Sequence, residues 1–287
     1  MSNNNAFVLV REKLIQRIRD NHLEVPMLPK VAGKVVSLTQ DPDSDASALA
    51  QLIQSDQTLA GHVMRVANSA AYSPNSSILS LQQAITRLGT KLISEIALSA
   101  SINSTLFNTP GFEKHIAYGI KHSLASGLWA KEAARACRKN VEASFLSGLL
   151  HDIGRPVAVQ SALEIAKSLH LDLDQEHVLK IENQFQREIG IRVVEKWQMP
   201  KTVCNVVRYF DDYGHSHASQ ALTMSVAAGA LIAGHFMCED GDESHCITLP
   251  DLYAQPVLAD LNLYQDDIQR VLERHSVVKD TLEIMSS

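Results

Sequence analysis

Apolar positions recur at helical spacing along nearly the whole chain, and that periodicity predicts an all-α protein. Phe7, Leu9, Val10, Leu14, Ile15 and Ile18 gather on one broad side of a helix over about 6–21. Val25-Pro26-Met27-Leu28-Pro29 breaks it, because proline pushes the preceding residue out of the helical region. A helix over about 30–40 follows. Asp41-Pro42-Asp43-Ser44-Asp45 then reads as a turn and N-cap for a helix that buries Leu49, Leu52 and Ile53. The next helix carries Leu59, Val63, Met64 and Val66 and ends near Asn68-Ser69. Ser80-Leu81-Gln82-Gln83 has the form of a capping box, Ser80 and Gln83 each satisfying the other's orphan N–H. Gly89 is placed to stop that helix in the left-handed conformation, and the next helix runs from Thr90 to about Leu106. Further helices are expected near 112–138, 141–151, 156–169, 174–196, 200–211 and 217–236. A polar loop at 239–244 and two or three short helices finish the chain. Alternating β-branched runs are scarce, and with aromatics at 5% no segment argues for a sheet.

A chain of 287 residues suits one large domain or two packed lobes. The clearest break is Asn108-Thr109-Pro110-Gly111, which divides the chain into a helical lobe over 1–109 and a second helical lobe over 110–287 with a C-terminal extension. Hydrophobic residues at 45% and charged residues at 20% fit an ordinary folded protein. The net charge of −6 provides no global positive field for nucleic acid, although it leaves a local patch open. The polar start Met1-Ser2-Asn3-Asn4-Asn5 lacks the pattern of a signal peptide. No uncharged apolar run approaches the ~20 residues of a membrane span. Cys137, Cys204, Cys238 and Cys246 are scattered, as reduced thiols would be. These features together lead us to expect a cytoplasmic protein with no membrane partner.

The candidate chemistry centres on His151-Asp152-Ile153-Gly154, at the end of the apolar run Phe145–Leu150. An imidazole and a carboxylate at one helix turn can bind a divalent metal that activates water against a phosphate ester. Such a His-Asp pair resembles the HD superfamily of metal-dependent phosphohydrolases. A chain of strings over 28–107 resembles the HDOD family, the HD-related output domain. The strings are Leu28-Pro29, Asp41-Pro42 into Leu49-Ala50-Gln51-Leu52-Ile53, Ser55-Asp56 before Leu59, Ala67-Asn68-Ser69-Ala70-Ala71-Tyr72, and Ser80-Leu81 through to Arg87-Leu88-Gly89. Each is weak alone, and their order and register carry the likeness. It continues less sharply through His122-Ser123, Gly148–Gly154, Glu188-Ile189-Gly190 and Trp197–Pro200, covering about 26–236. Residues 237–287 add nothing to it. The resemblance implies two packed helical lobes, the second an HD-like bundle.

It also implies a ligand set of a first His, the His-Asp pair and a later Asp. His122 fits the first position, and His151 and Asp152 fit the pair. Ala230 stands where the later Asp belongs. Gln186 and Phe210 stand near positions where two-metal relatives carry His. Two readings stay open. One is a metal held by His122, His151 and Asp152. The favoured one is a vestigial pair with no catalytic residue, no metal and no cofactor. There Asp152, hydrogen-bonded because a buried carboxylate needs partners, fastens the 112–138 helix to the 141–151 helix.

Other constellations carry less. His235, Cys238, His245 and Cys246 resemble a zinc cluster, but adjacent residues point opposite ways in an extended chain, and a polar loop with incidental cysteines is the simpler reading. Asp211–His217 reads as a turn with Gly214 at positive φ. The acidic loop 239–244 lacks calcium-hand spacing. Gln83–Ser99 has the outline of a helix-turn-helix, yet Leu92, Ile93, Ile96, Ala97 and Leu98 dominate its second helix where base-reading side chains belong. The expected function is therefore that of a non-catalytic bacterial signalling protein. It binds a partner protein or a nucleotide second messenger in the groove between its lobes. A residual phosphohydrolase using the HD pair and a helix-turn-helix DNA binder are the alternatives. The oligomeric state is not read.

Overall fold

The computed structural model describes residues 3–40, 46–69, 72–73, 77–238 and 247–286. These residues form helices and no strand. In chain order the helices are α1 (Asn3–Arg19), α2 (Lys30–Gln40), α3 (Ala46–Gln54), α4 (Gln57–Ala67), α5 (Leu81–Leu88), α6 (Thr90–Ser101), α7 (Glu113–Ala136) and α8 (Val141–Leu150). They continue with α9 (Gly154–Ser168), α10 (Gln175–Lys196), α11 (Lys201–Tyr209), α12 (Gln220–Met237), α13 (Leu249–Tyr253), α14 (Pro256–Asp260), α15 (Gln265–Leu272) and α16 (His275–Ser286). Side-chain oxygens of Asp56, Asn140 and Asp174 accept from the backbone N–H groups of Leu59, Ala143 and His177 at 3.0, 3.0 and 2.8 Å. Each thus satisfies one of the orphan donors at the start of its helix.

The long helix α7 is the axis of the second half, packed against α8, α12 and α16. Its crossings are close because small residues meet there. A Cβ added to Gly148 on α8 would lie 2.6 Å from the Cα of Gly127 on α7. One added to Gly229 on α12 would lie 2.4 Å from the backbone nitrogen of Ala130. At the α9–α10 crossing the limit is tighter, since a Cβ on Gly154 would stand 1.8 Å from the Gln186 carbonyl oxygen. No side chain fits in such spaces. One apolar core runs from Val10 to Met285. The first and last helices pack across the 109/110 division, α1 on α9 and α10, α16 on α4 and α6.

Several local expectations are corrected. The Ser80 hydroxyl caps Gln83 N–H at 3.1 Å, but the Gln83 amide reaches one residue further back, to Leu79 N–H at 2.9 Å. Gly89 has positive φ with ψ 154°, an extended geometry open to glycine rather than the left-handed helical one. The helix from Thr90 ends at Ser101, and a 3-10 turn covers Ser104–Leu106. At 211–217 the positive φ belongs to His217, at 39°, and not to Gly214. Four helices rather than two or three follow the polar loop. Cys238 is disulfide-bonded rather than a reduced thiol, while Cys137 and Cys204 are free. Contrary to expectation, the stretch His217–Met237 is long and apolar enough to cross a membrane by length and composition. Here it is a core element, with Val226, Ala228, Gly229, Ile232 and Ala233 buried. The turn at 41–45 and the loop at 239–244 lie outside the described residues.

Candidate functional site

The HD pair occupies the corner between α8 and α9. His151 caps α8, and α9 begins at Gly154. The corner is pinned from both sides by the glycine contacts, Gly148 on Gly127 of α7 and Gly154 on α10. A small residue three positions before His151 and another two after Asp152 therefore set where the pair stands.

His151 is buried, 1% exposed. Its Nδ1 donates to the Gly148 carbonyl at 2.6 Å, which fixes the tautomer and leaves Nε2 as the free edge, 3.5 Å from Asp152 Oδ2. Burial holds the imidazole below the ordinary histidine value, against the opposing pull of Asp152 and the Gly148 carbonyl. The Phe210 ring packs on the imidazole with centroids 4.5 Å apart. The His122 ring, on α7, stands 6.2 Å away.

Asp152 is held by arginines. Its Oδ2 accepts from Arg155 Nε at 3.0 Å, and Arg187 Nη2 lies 3.7 Å from Oδ1. Burial pushes this carboxyl up, but His151, Arg155 and Arg187 together hold it well below the usual carboxylate range. Of these three partners, the two guanidiniums keep their charge at every accessible pH. Arg187 also donates to the carbonyls of His151 and Val207 at 2.8 and 3.2 Å, forks onto Asp211 at 2.8 and 3.0 Å, and covers the Phe210 face at 5.0 Å. Arg155 turns its other nitrogens to α10, with Nη1 3.2 Å from Asn183 Oδ1 and 3.7 Å from Glu182 Oε1. Glu182 is a second buried carboxylate, its side chain 2% exposed, and His115 Nε2 donates to both its oxygens at 3.0 and 2.9 Å.

Asp152 does not fasten α7 to α8, as the sequence had suggested. Its bonds run to Arg155 in the first turn of α9 and toward Arg187 on α10, while α7 meets α8 through Gly127 and Gly148. A hydrogen-bonded tie between α7 and this network is His115–Glu182. His115 and His122 are seven residues apart, so both lie on one face of α7; that spacing was the signal that could have found His115. Arg155, three residues after Asp152 on a helical turn, was equally legible and was passed over.

These residues do not fit a metal. Among the described residues no three His, Cys, Asp or Glu side chains stand together as a metal site. Arg155 is bonded to Asp152 Oδ2, and the Phe210 ring packs on His151. A carboxylate salt-bridged to arginine is already neutralised, which removes the charge a hard cation requires.

What the site does offer is a cavity of about 330 Å³. His115, His122, Asp152, Arg155, Glu182 and Asn183 supply its polar wall, against Ile116, Leu149 and Leu179. Elsewhere, α6 buries Ile93, Ile96, Ala97 and Leu98, which removes it as a DNA-reading helix. His235 Nδ1 is engaged by the Ile247 carbonyl at 2.7 Å and Cys238 by its disulfide, while His245 and Cys246 lie outside the described residues.

Comparison with known proteins bears on the whole arrangement. The HDOD domain family matches residues 25–213. A candidate metal-dependent phosphohydrolase from Shewanella amazonensis is 22% identical with TM-score 0.70, covering 100% of this chain and 99% of that one. An HDOD domain protein of unknown function from Geobacter sulfurreducens is 20% identical with TM-score 0.70, covering 98% and 97%. A candidate signal transduction protein from Marinobacter aquaeolei is 22% identical with TM-score 0.61, covering 100% of this chain and 69% of its own. An uncharacterized Treponema pallidum protein is 24% identical over 238 residues, 80% of this chain. The chain spans 45% of that relative's length.

Proposed function

The chain belongs to the HDOD domain family, and we propose that it is a regulatory protein without catalysis of its own, working by binding a partner protein or a nucleotide second messenger. The observation that carries this reading is Arg155, whose guanidinium stands against both buried carboxylates of the site, Asp152 at 3.0 Å and Glu182 at 3.7 Å. An arginine keeps its charge at every accessible pH, so it supplies permanently the countercharge that a hydrolase takes from its metal. It cannot activate a water as a Lewis acid does. The fold and its cavity are retained while hydrolytic chemistry is lost, which suits a module that binds and reports. His122, His151 and Asp152 act here as structure and cavity wall.

The test is the metal content of protein purified without chelator, together with hydrolysis of phosphomonoesters, nucleotides and cyclic dinucleotides in added Mg²⁺ or Mn²⁺. The expected result is substoichiometric metal and no turnover above a His151→Ala control. Metal-stimulated hydrolysis that Asp152→Ala abolishes would return the chain to the phosphohydrolases.

A further inference from the structure

The last helix, α16, lies outside the residues 25–213 that match the family, while the helices it rests on, α4, α6 and α7, lie inside them. Val278, Thr281, Leu282 and Met285 of α16 are buried, and Ser276, Lys279, Asp280 and Glu283 are exposed. Anchors at i, i+3, i+4 and i+7 are how an amphipathic helix fills an apolar groove. The helix has a clear direction along its bed. Near its start, Val277 and Val278 share a hollow with Leu92 of α6 and Leu128 of α7. At its end, Met285 shares one with Ser99 of α6 and Leu124 of α7. Thus α16 runs with α6 and against α7.

The bed does not stop where α16 stops. A cavity of about 700 Å³ opens at Met285 and Ser286, walled by the same three helices. Leu59 of α4, Ile102 after α6, and Ala117, Ile120 and Leu124 of α7 line it. From Leu124 to Ala117 along α7 is about 10 Å, or about two helical turns. Polar groups in this lining are engaged within the chain. The Ser99 and Ser101 hydroxyls donate to the carbonyls of Ile96 and Ala97 at 2.9 and 2.8 Å. Arg65 is paired with His62 at 3.0 Å, and Asp56 accepts from Leu59 N–H at 3.0 Å. What the cavity offers an occupant is therefore chiefly apolar surface, continuous with the track of α16.

We propose that the groove between α4, α6 and α7 is a docking site for an amphipathic helix of a partner protein, longer than α16 by about two turns, and that α16 is the resident helix which this partner displaces. The partner's extra length gives it an advantage, since it replaces the contacts of α16 and adds those of the empty cavity. A tethered resident keeps the groove closed, and the partner's apparent affinity is reduced by the fraction of molecules that are open. The groove shares Ile102, Ile120 and Leu149 with the cavity over the HD pair, so a docked helix rests against a wall of that cavity. The inference rests on the reading that the chain acts by binding a partner protein, and it names the surface and the partner's chemistry.

The experiment uses the full chain and a fluorescent synthetic peptide with the sequence of α16, lengthened at its C-terminus by about two turns with leucine at the continuing anchor positions. Fluorescence anisotropy reads binding, and hydrogen exchange reads the resident helix. The lengthened peptide should bind at least about tenfold more tightly than a peptide of α16 alone. Its Leu282→Asp version should bind at least about tenfold more weakly. Binding should speed amide exchange in the α16 of the chain. Leu282→Ala in the full chain loosens the resident helix and should tighten the lengthened peptide by about tenfold, whereas Leu14→Ala, an equal truncation on α1, should not. A lengthened peptide that fails to bind both the parent chain and the Leu282→Ala chain overturns the proposal. So does binding that leaves α16 exchange unchanged, or equal affinities for the lengthened, the α16-length and the Leu282→Asp peptides, all measured on the parent chain with no variant protein to fold. None of these results bears on metal content or turnover, so this proposal and the non-catalytic reading fail separately.

Discussion

Arg187 donates to the backbone carbonyl of His151 at 2.8 Å, across 36 residues of sequence. That bond takes the last turn of α8, whose carbonyls lose their helical partners, and ties it to the middle of α10. The same guanidinium neutralises Asp152 and lies on Phe210, so one side chain closes the corner that holds the HD pair.

Arg187→Ala should therefore be costly although Arg187 is partly exposed. It leaves the His151 and Val207 carbonyls without their donor and withdraws one of two cations from Asp152. We expect a loss of about 2–3 kcal/mol, in the range for hydrogen bonds to charged groups, read as a lower urea midpoint with helical circular dichroism retained. Chelator should change nothing in either protein. A midpoint equal to the parent's would show that the corner is held by packing alone.

Gly154→Ala tests the α9–α10 crossing. Its Cβ would stand 1.8 Å from the Gln186 carbonyl oxygen and 2.5 Å from Gly190 N, and backbone cannot yield as a side chain can. Loss of at least about 3 kcal/mol is expected, the upper end of overpacking costs. Gly119→Ala on α7, with nothing within 4 Å of the added Cβ, should be neutral or stabilising by up to about 1 kcal/mol. Equal thermal midpoints for the two variants would contradict this account of the crossing.

The acid limb of stability should carry a His62 component. Burial, then the neighbouring Arg65, hold this imidazole below its ordinary value of 6.5. The unfolded chain therefore binds the extra proton first. The contribution is fully present above about pH 6.5 and is lost as pH falls toward the folded value, at no more than about 1.4 kcal/mol per pH unit. His151 is shifted the same way, so the readout is the difference between parent and His62→Gln. Urea midpoints across pH 5–8 should fall less steeply for the variant below pH 6.5, and parallel curves would remove His62 from the effect.

Asn68 explains one string of the family resemblance. Its amide donates to Ile78 O at 2.9 Å and accepts from Ile78 N at 2.7 Å, closing the segment between α4 and α5 as a strand partner would. Asn68→Ala should cost about 1–2 kcal/mol. Asn68→Asp, which keeps the acceptor and loses the donor, should fall between. Hydrogen exchange at the Ile78 amide should rise in Asn68→Ala, and unchanged exchange would argue against the clasp.

Helix identity and most helix ends were legible because both are local. Apolar spacing repeats within a few residues, and a cap such as Ser80 acts within three. The strings over 28–107 and the His151-Asp152 pair were equally readable. The arginine network around Asp152 was not readable in the same way. Arg155 lies one turn from Asp152, but its sharing with Glu182 depends on α9 and α10 meeting at Gly154 and Gly190. His115 and Glu182 are 67 positions apart, and Phe210 reaches His151 only because α11 packs on α8. Periodicity says which face of a helix is apolar, but it does not say which helix that face will meet. That choice was made by the glycine crossings, which set the helix positions and so brought Arg155 and Arg187 to the buried acids.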